Sequence, residues 1–358
     1  MQPWFDEKEK EALAEYMDEG GFITEFKRTE RFEQMIAAFT GAKHCIVVNN
    51  GTVSLTLGAL ATGFKAGDDV IVPNYTMIAT PNSVKMFGAN PVFVDVEPET
   101  LCLDINLVRK AITKKTRAIM LVSANGRYPK AGIAAFEELT KENDIVLIED
   151  AAQSLGSFYP DGRHIGRAGK VGSFSFSAPK IISTGQGGAL ITDDDGVAFN
   201  VRRLKDFGRS RGGNDIHDSI GYNFKFTDLQ ACVGIEQMKK LPWRIERKKG
   251  IWRHYRDLLK DVEGIRLFWH DTNFTVPWFI DALAERREEL IIYLKNAGIG
   301  ARVMYPPINT QRAYQIPGEH PVSNLIGEKG LWLPSATQLT DEEIGYICST
   351  ISAFYGEG

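Results

Sequence analysis

The sequence predicts an α/β fold: a mostly parallel sheet with helices on both faces, followed by a smaller α+β part. Short β-branched apolar runs alternate with amphipathic stretches through the first two thirds of the 358 residues, which is the strand–helix alternation of a wound sheet. Several runs are apolar at consecutive positions, Ile145-Val146-Leu147-Ile148 among them, as a strand covered on both faces requires. At ~150 residues per domain the length suggests about two domains. The texture changes around Leu241-Pro242, which places the division at 1–240, a large α/β domain with an N-terminal helix, and 241–358, a small C-terminal domain.

In order, strands are expected at His44–Asn49, Asp69–Pro73, Pro91–Val96, Arg117–Ser123, Asp144–Glu149, Val171–Ser177 and Gly188–Thr192. Helices are expected between them at Glu30–Thr40, Val53–Ala61, Asn82–Phe87, Ile105–Thr113 and Ala134–Glu142. The second part begins with a basic helix, Trp243 to Leu259, whose cations read as a solvated or interfacial face. Strands near Ile265–His270 and Thr275–Ile280 follow, then a helix at Glu285–Ala297, a strand at Gly300–Tyr305 and a closing helix at Asp341–Phe354. The stretch from Tyr305 to Pro334 has few apolar periodic positions and reads as an extended loop that covers a site.

Composition excludes several functions. Lys and Arg number 42 against 46 Asp and Glu, a net charge of −4, which gives no basic surface for nucleic acid. The apolar runs are far shorter than the ~18 residues of a membrane span. The acidic start, Met1 to Lys8, has no apolar core of a signal peptide. Four scattered cysteines and six histidines show no metal spacing. A cytoplasmic globular enzyme without a metal is the expectation.

Three segments carry chemistry. Asn49-Asn50-Gly51-Thr52 joins a buried strand to a helix, so free amides at the helix start offer a phosphate seat. On its own it reads first as an ordinary capped strand–helix turn. Glu149 and Asp150, in Ile148-Glu149-Asp150-Ala151-Ala152-Gln153-Ser154, end a buried strand where α/β ligand crevices form. Asp150 could equally be a helix cap. Gly172-Ser173-Phe174-Ser175-Phe176-Ser177-Ala178-Pro179-Lys180 then brings a lysine into an apolar, Gly-rich setting, where burial lowers its proton affinity and makes the amine nucleophilic. Gly185-Gln186-Gly187-Gly188 precedes a strand and lacks dinucleotide spacing. A phosphate-type turn, an acid, a serine and a lysine in this order form the set that a pyridoxal phosphate site requires.

With these residues in view, the sequence resembles the DegT/StrS-type nucleotide-sugar aminotransferases, fold-type-I pyridoxal phosphate enzymes, and is most similar to their perosamine-synthase branch. The resemblance runs nearly end to end. It includes Gly21-Phe22-Ile23-Thr24, Asn50-Gly51-Thr52, Val72-Pro73 through Ile78-Ala79-Thr80 and Pro91 to Val96. It continues through Glu149 to Ser154, Phe174-Ser175 to Lys180, Gly185 to Gly188 and Gly221-Tyr222-Asn223-Phe224. The resemblance implies a seven-stranded mixed sheet and a homodimer with shared sites. Lys180 is then the residue that condenses with the cofactor aldehyde and later shuttles a proton, and Asp150 holds the pyridine nitrogen protonated. Gln153 binds the ring hydroxyl; Gly51, Thr52 and Ser175 hold the phosphate; and Asn223 reaches the phosphate of the neighbouring subunit.

The reaction implied takes an amino group from glutamate, through the pyridoxamine phosphate form, to a nucleotide-linked keto-deoxy sugar. The sugar favoured is a GDP-4-keto-6-deoxy sugar, aminated at position 4 for surface polysaccharide of the lipopolysaccharide O-antigen kind. Some positions depart from the family pattern. Met77 stands where relatives carry a stacking aromatic, with Tyr75 a nearby substitute. Gln186 replaces a glutamate, Ser123-Ala124-Asn125-Gly126 replaces His-Leu-Tyr-Gly, and Glu25 replaces a glycine. The last three are expected where substrate sits. Lys205, Arg209 and Arg211 form a basic loop that either is solvated or meets a nucleotide diphosphate in the partner's site. Tyr305 and Asn309 are further candidates for substrate contact. Two other readings remain open at this point: a sugar dehydratase, whose relatives carry His in place of the lysine, and a non-catalytic cofactor-binding or regulatory protein.

Overall fold

The computed structural model describes residues 3–209 and 215–356. The chain opens with α1 (Glu7–Asp18) and α2 (Lys27–Thr40) and then winds a sheet. Its elements are β1 (His44–Val48), α3 (Gly51–Ala61), β2 (Asp69–Pro73), α4 (Ala79–Lys85), β3 (Asn90–Val94), α5 (Ile105–Ala111) and β4 (Thr116–Val122). They continue with α6 (Ile133–Glu142), β5 (Val146–Asp150), β6 (Val171–Ser175), β7 (Gly188–Thr192) and α7 (Asp195–Lys205). The long α8 (Asp228–Leu259) leads to β8 (Ile265–Leu267), β9 (Ile280–Ala284), α9 (Arg287–Asn296) and β10 (Arg302–Val303). The chain closes with α10 (Pro321–Lys329), β11 (Gly330–Leu333) and α11 (Asp341–Gly356).

The large sheet has the order β1-β7-β6-β5-β4-β2-β3, parallel throughout except for β7, which runs antiparallel to both neighbours. Alternate residues of each strand serve opposite faces. Val47, Ile71, Ile119, Leu121 and Leu147 pack with Phe32, Phe136 and Leu241 on one side. Ile46, Val48, Val70, Ala118, Met120 and Ile148 face α3, α4 and α7 on the other. The second sheet, β10-β11-β9-β8, is antiparallel and packs on α8, α9 and α11 through Tyr255, Ile280, Leu294, Leu331 and Ile351.

Three differences from the expected elements have physical causes. First, α8 begins at Asp228, capped by the Thr227 hydroxyl, and continues through Pro242. A proline removes one helical amide, and the buried Arg244 holds the turn by donating to Gln237 Oε1 at 2.6 Å and to the Ile181 carbonyl at 2.7 Å. The division at 240/241 therefore falls inside one helix, whose first half lies on the large core and whose second half lies on the small one. Its cationic face is also not wholly solvated, because Arg244 and Lys248 are buried.

Second, residues 275–279 are not a strand. The side chain of Asn125 takes both polar groups of the Phe279 backbone, at 2.6 and 2.9 Å, in place of a ladder partner. Third, the supposed loop to Pro334 contains α10 and the buried strand β11. The Asp95 carboxylate caps α10 from β3's far end, accepting from Val322 and Ser323 amides at 2.8 and 2.9 Å.

Candidate active site

The C-terminal ends of the parallel strands open into a cavity of about 640 Å³, where an α/β sheet places its ligands. Gly51, Thr52, Met77, Asp150, Gln153, Ser175, Lys180 and Tyr305, all singled out in the sequence, line it together. α3 points its N-terminus into this space. Asn50 caps the helix by accepting from the Val53 amide at 2.9 Å, which leaves the Gly51 and Thr52 amides without a helical carbonyl to meet. A Cβ on Gly51 would lie 2.9 Å from Ser175 Cβ, and one on Gly188 would lie 2.6 Å from the Asn50 backbone. Glycine at both places lets β7, the helix start and the Ser175 hydroxyl converge on one cradle.

Of the two adjacent carboxylates, only Asp150 faces the cavity. Alternation turns Glu149 to the opposite side of β5, where it accepts from Tyr159 and from the amides of Gly166, Ala168 and Gly169. Asp150 accepts from the Thr80 hydroxyl at 2.7 Å and the Ala152 amide at 3.2 Å. Burial pushes its pKa up, while those two donors and the Lys180 charge pull it down.

Lys180 stands after β6 in a turn closed by its amide on the Ser177 carbonyl at 3.0 Å. Burial of the amine lowers its pKa from 10.5 to about 8, with the Asp150 charge opposing the fall. The amine lies 3.8 Å from the centre of the Trp278 ring. This is the depressed proton affinity a nucleophilic lysine needs near neutral pH.

The remaining candidates separate. Met77 fronts the cavity with its sulfur 3.0 Å from the Ala79 amide, whereas Tyr75 is buried behind it against Tyr305. Gln153 Oε1 accepts from the Asn125 amide at 2.5 Å. Gln186 lines the cavity as expected. Asn125 instead is a buried brace at φ 54°, and Glu25 pairs with Lys205 at 2.7 Å; neither lines this chain's cavity.

Lys205 leaves the proposed basic loop altogether: it is buried, donating also to the Val47 carbonyl at 3.0 Å. Arg209 pairs with Asp206 and Asp215, and the exposed Asn223 bridges to Asp206; neither lines this chain's cavity. Arg211 lies outside the described residues. Asn309 is also outside the cavity lining: its side chain is committed to the buried Asn74, the two exchanging bonds of 2.9 Å.

Sequence reasoning missed Thr80, Arg302 and Trp278. Thr80 lay inside a quoted segment, but its role depends on a partner 70 residues away. Arg302 pairs with no carboxylate among the described residues and lines the cavity from β10. Trp278 sat in a stretch read as a plain strand. Among the described residues no His, Cys, Asp or Glu cluster could hold a metal, and no helix is long and apolar enough to cross a membrane.

The model of the DegT/DnrJ/EryC1/StrS aminotransferase family matches residues 3–352. The chain belongs to this family. It is 34% identical over 360 residues to a GDP-perosamine synthase of Escherichia coli O157:H7, covering 99% of this chain and 98% of the relative. A GDP-perosamine synthase of Vibrio cholerae is 32% identical over 365 residues, with 99% and 98% covered. Among solved structures, a DegT/DnrJ/EryC1/StrS aminotransferase from Brucella abortus superposes with a TM-score of 0.91 at 28% identity, covering 98% of this chain and 96% of that one. The fold is thus the fold-type-I arrangement expected, and the family is one of aminotransferases.

Proposed function

We propose that this protein is a homodimeric, cytoplasmic pyridoxal phosphate-dependent aminotransferase that moves the amino group of glutamate to a nucleotide-linked keto-deoxy sugar. The sugar favoured is a GDP-4-keto-6-deoxy sugar, converted to its 4-amino form for surface polysaccharide, which the likeness to GDP-perosamine synthases supports. The observation that carries the reading is the meeting of Lys180 and Asp150 in one cavity that also holds a helix N-terminus. A phosphate fits the Gly51 cradle, and the carboxylate and amine fit opposite needs of a pyridine aldehyde.

Bound there, the cofactor supplies an electron sink for the carbon that loses or gains a proton. The protein supplies the rest. Gly51, Thr52 and Ser175 hold the phosphate through two amides and a hydroxyl. Asp150 would keep the ring nitrogen protonated by its negative charge, and Gln153 would serve the ring hydroxyl. Lys180, its proton affinity lowered by burial, accepts and returns the proton at the substrate carbon. Met77, at the cavity wall, would be the side chain to pack on the ring face, a role a thioether can fill. Tyr305 narrows the cavity mouth toward the sugar, and the partner's copy of the Asn223 loop completes the phosphate seat.

The dehydratase reading fails on Lys180, the residue it would replace. A non-catalytic reading is separated by one experiment. Glutamate added to the purified yellow protein should bleach the visible band and raise the near-ultraviolet band of the aminated cofactor. An unchanged spectrum would defeat the aminotransferase. Borohydride reduction should fix the cofactor on the Lys180 peptide, and Lys180→Ala should abolish both fixation and turnover. Thermal shifts with GDP, UDP and dTDP identify the nucleotide, since a ligand bound only by the folded state raises its melting point.

A further inference from the structure

The Trp278 indole covers the Lys180 amine, and its place is set from three directions. Its ring N–H donates to the Pro179 carbonyl at 2.7 Å, one residue before the lysine. Its backbone amide meets the Asn125 carbonyl at 3.4 Å. Its own carbonyl accepts from the Lys248 amine at 2.6 Å. Lys248 comes from α8, is buried, and gives a second bond of 2.6 Å to the Ser335 carbonyl beyond β11. No salt bridge reaches it among the described residues. Burying a lysine without a counter-charge is costly, and the two carbonyls offset only part of that cost.

We propose that Trp278 and Lys248 form a positioning pair for Lys180: the indole shuts water away from the reactive amine, and Lys248 fixes the indole. This inference rests on the reading of Lys180 as the reactive amine. The ring has two opposed effects on that amine. Its face attracts the protonated form, while the exclusion of water penalises it. Burial lowers the amine's proton affinity against the pull of the Asp150 charge, and the indole 3.8 Å away contributes to that burial. The other charged or titratable groups around it are Arg302 and Tyr305 across the cavity, and Arg244 and Lys248 in the recess behind it.

The test uses the cofactor-free protein, so it does not depend on turnover. Acetic anhydride labelling across pH 6–11, read on the Lys180 peptide by mass spectrometry, gives the midpoint at which the amine becomes reactive. Trp278→Ala, which admits water, and Lys248→Met should raise that midpoint by about one pH unit, while Trp278→Phe, which keeps an apolar ring over the amine, should stay close to the parent. A midpoint unchanged or lowered in Trp278→Ala overturns the proposal. If Lys248→Met does not fold, Trp278→Ala against Trp278→Phe decides alone. Failure of borohydride to fix cofactor on Lys180 would instead sink the aminotransferase reading and leave the labelling shift standing.

Discussion

Thr80 donates its hydroxyl to Asp150 Oδ2 at 2.7 Å, and Thr76 in turn donates to Thr80 across 3.0 Å. Thr80, backed by Thr76, opposes the upward push that burial gives the Asp150 pKa. Thr80→Val removes that donor, raises the pKa of Asp150 further and weakens its grip on a protonated ring nitrogen. Cofactor affinity should fall about tenfold, since hydrogen bonds to charged groups are worth about 1.5–3 kcal/mol. Equilibrium dialysis of the cofactor measures it, with Thr80→Ser retaining the parent value.

Gly51→Ala places a methyl group 2.9 Å from Ser175 Cβ. Either the serine or the α3 start must shift, and both belong to the phosphate cradle. Inorganic phosphate and pyridoxal phosphate should both bind at least about tenfold more weakly, as expected when close-packed atoms are forced apart, whereas pyridoxal without phosphate should lose little. Calorimetric titration of the three ligands checks this.

Asp228 closes a helix from 200 residues away. Phe26 cannot cap α2, so the Asp228 carboxylate accepts from the Phe26, Arg28 and Thr29 amides, the Thr29 hydroxyl and the Tyr16 hydroxyl, at 2.7–3.0 Å. Asp228→Ala leaves these donors buried and unmet. Stability should drop by about 3–5 kcal/mol, read from the midpoint of urea unfolding.

His164 is buried in one tautomer. Its Nε2 accepts from the Gly156 amide at 2.9 Å, so Nδ1 carries the proton toward the Ile165 carbonyl at 2.6 Å. Burial lowers its pKa from 6.5 to about 4. Between those values the unfolded chain binds a proton that the folded chain refuses, so stability is lost as pH falls through that window. The loss amounts to about 3 kcal/mol from this residue. His164→Asn should flatten the slope of unfolding free energy between pH 6.5 and 4 without erasing it, since His270 is depressed in the same direction.

A shared site has a genetic signature. Lys180→Ala and Asn223→Ala chains should each be nearly inactive alone. Co-expressed, they should assemble mixed dimers with one intact site, returning activity to about a quarter of the parent in a random mixture. No recovery would mean that Asn223 serves its own chain or none.

Much of the large sheet was legible because a strand buried on both faces must be apolar at each position, and few other structures ask for that. β2 and β7 match the expected bounds to the residue. That Asp150, Ser175 and Lys180 meet in one cavity was legible for a different reason, their order along the chain, while Gln153 followed from the family resemblance. What stayed hidden depends on contacts distant in sequence. Asp95 and Asp228 cap helices that carry no cap of their own, so α10 read as loop and α2 appeared shorter than it is. Asn125 takes the backbone groups of Phe279 and turns an expected strand into an irregular wall. Lys205 looked like a loop cation until its buried pairing with Glu25 removed it from the surface. Pro242 suggested a break, and Arg244 with Gln237 cancels it.

That last arrangement constrains how the molecule comes apart. A chain severed at the apparent boundary would strip a wall from each of its two interiors and leave Arg244 without the carbonyl of Ile181. Neither fragment inherits a complete inside, so neither should fold alone. Heat should therefore dissolve the whole at once rather than one lobe before the other.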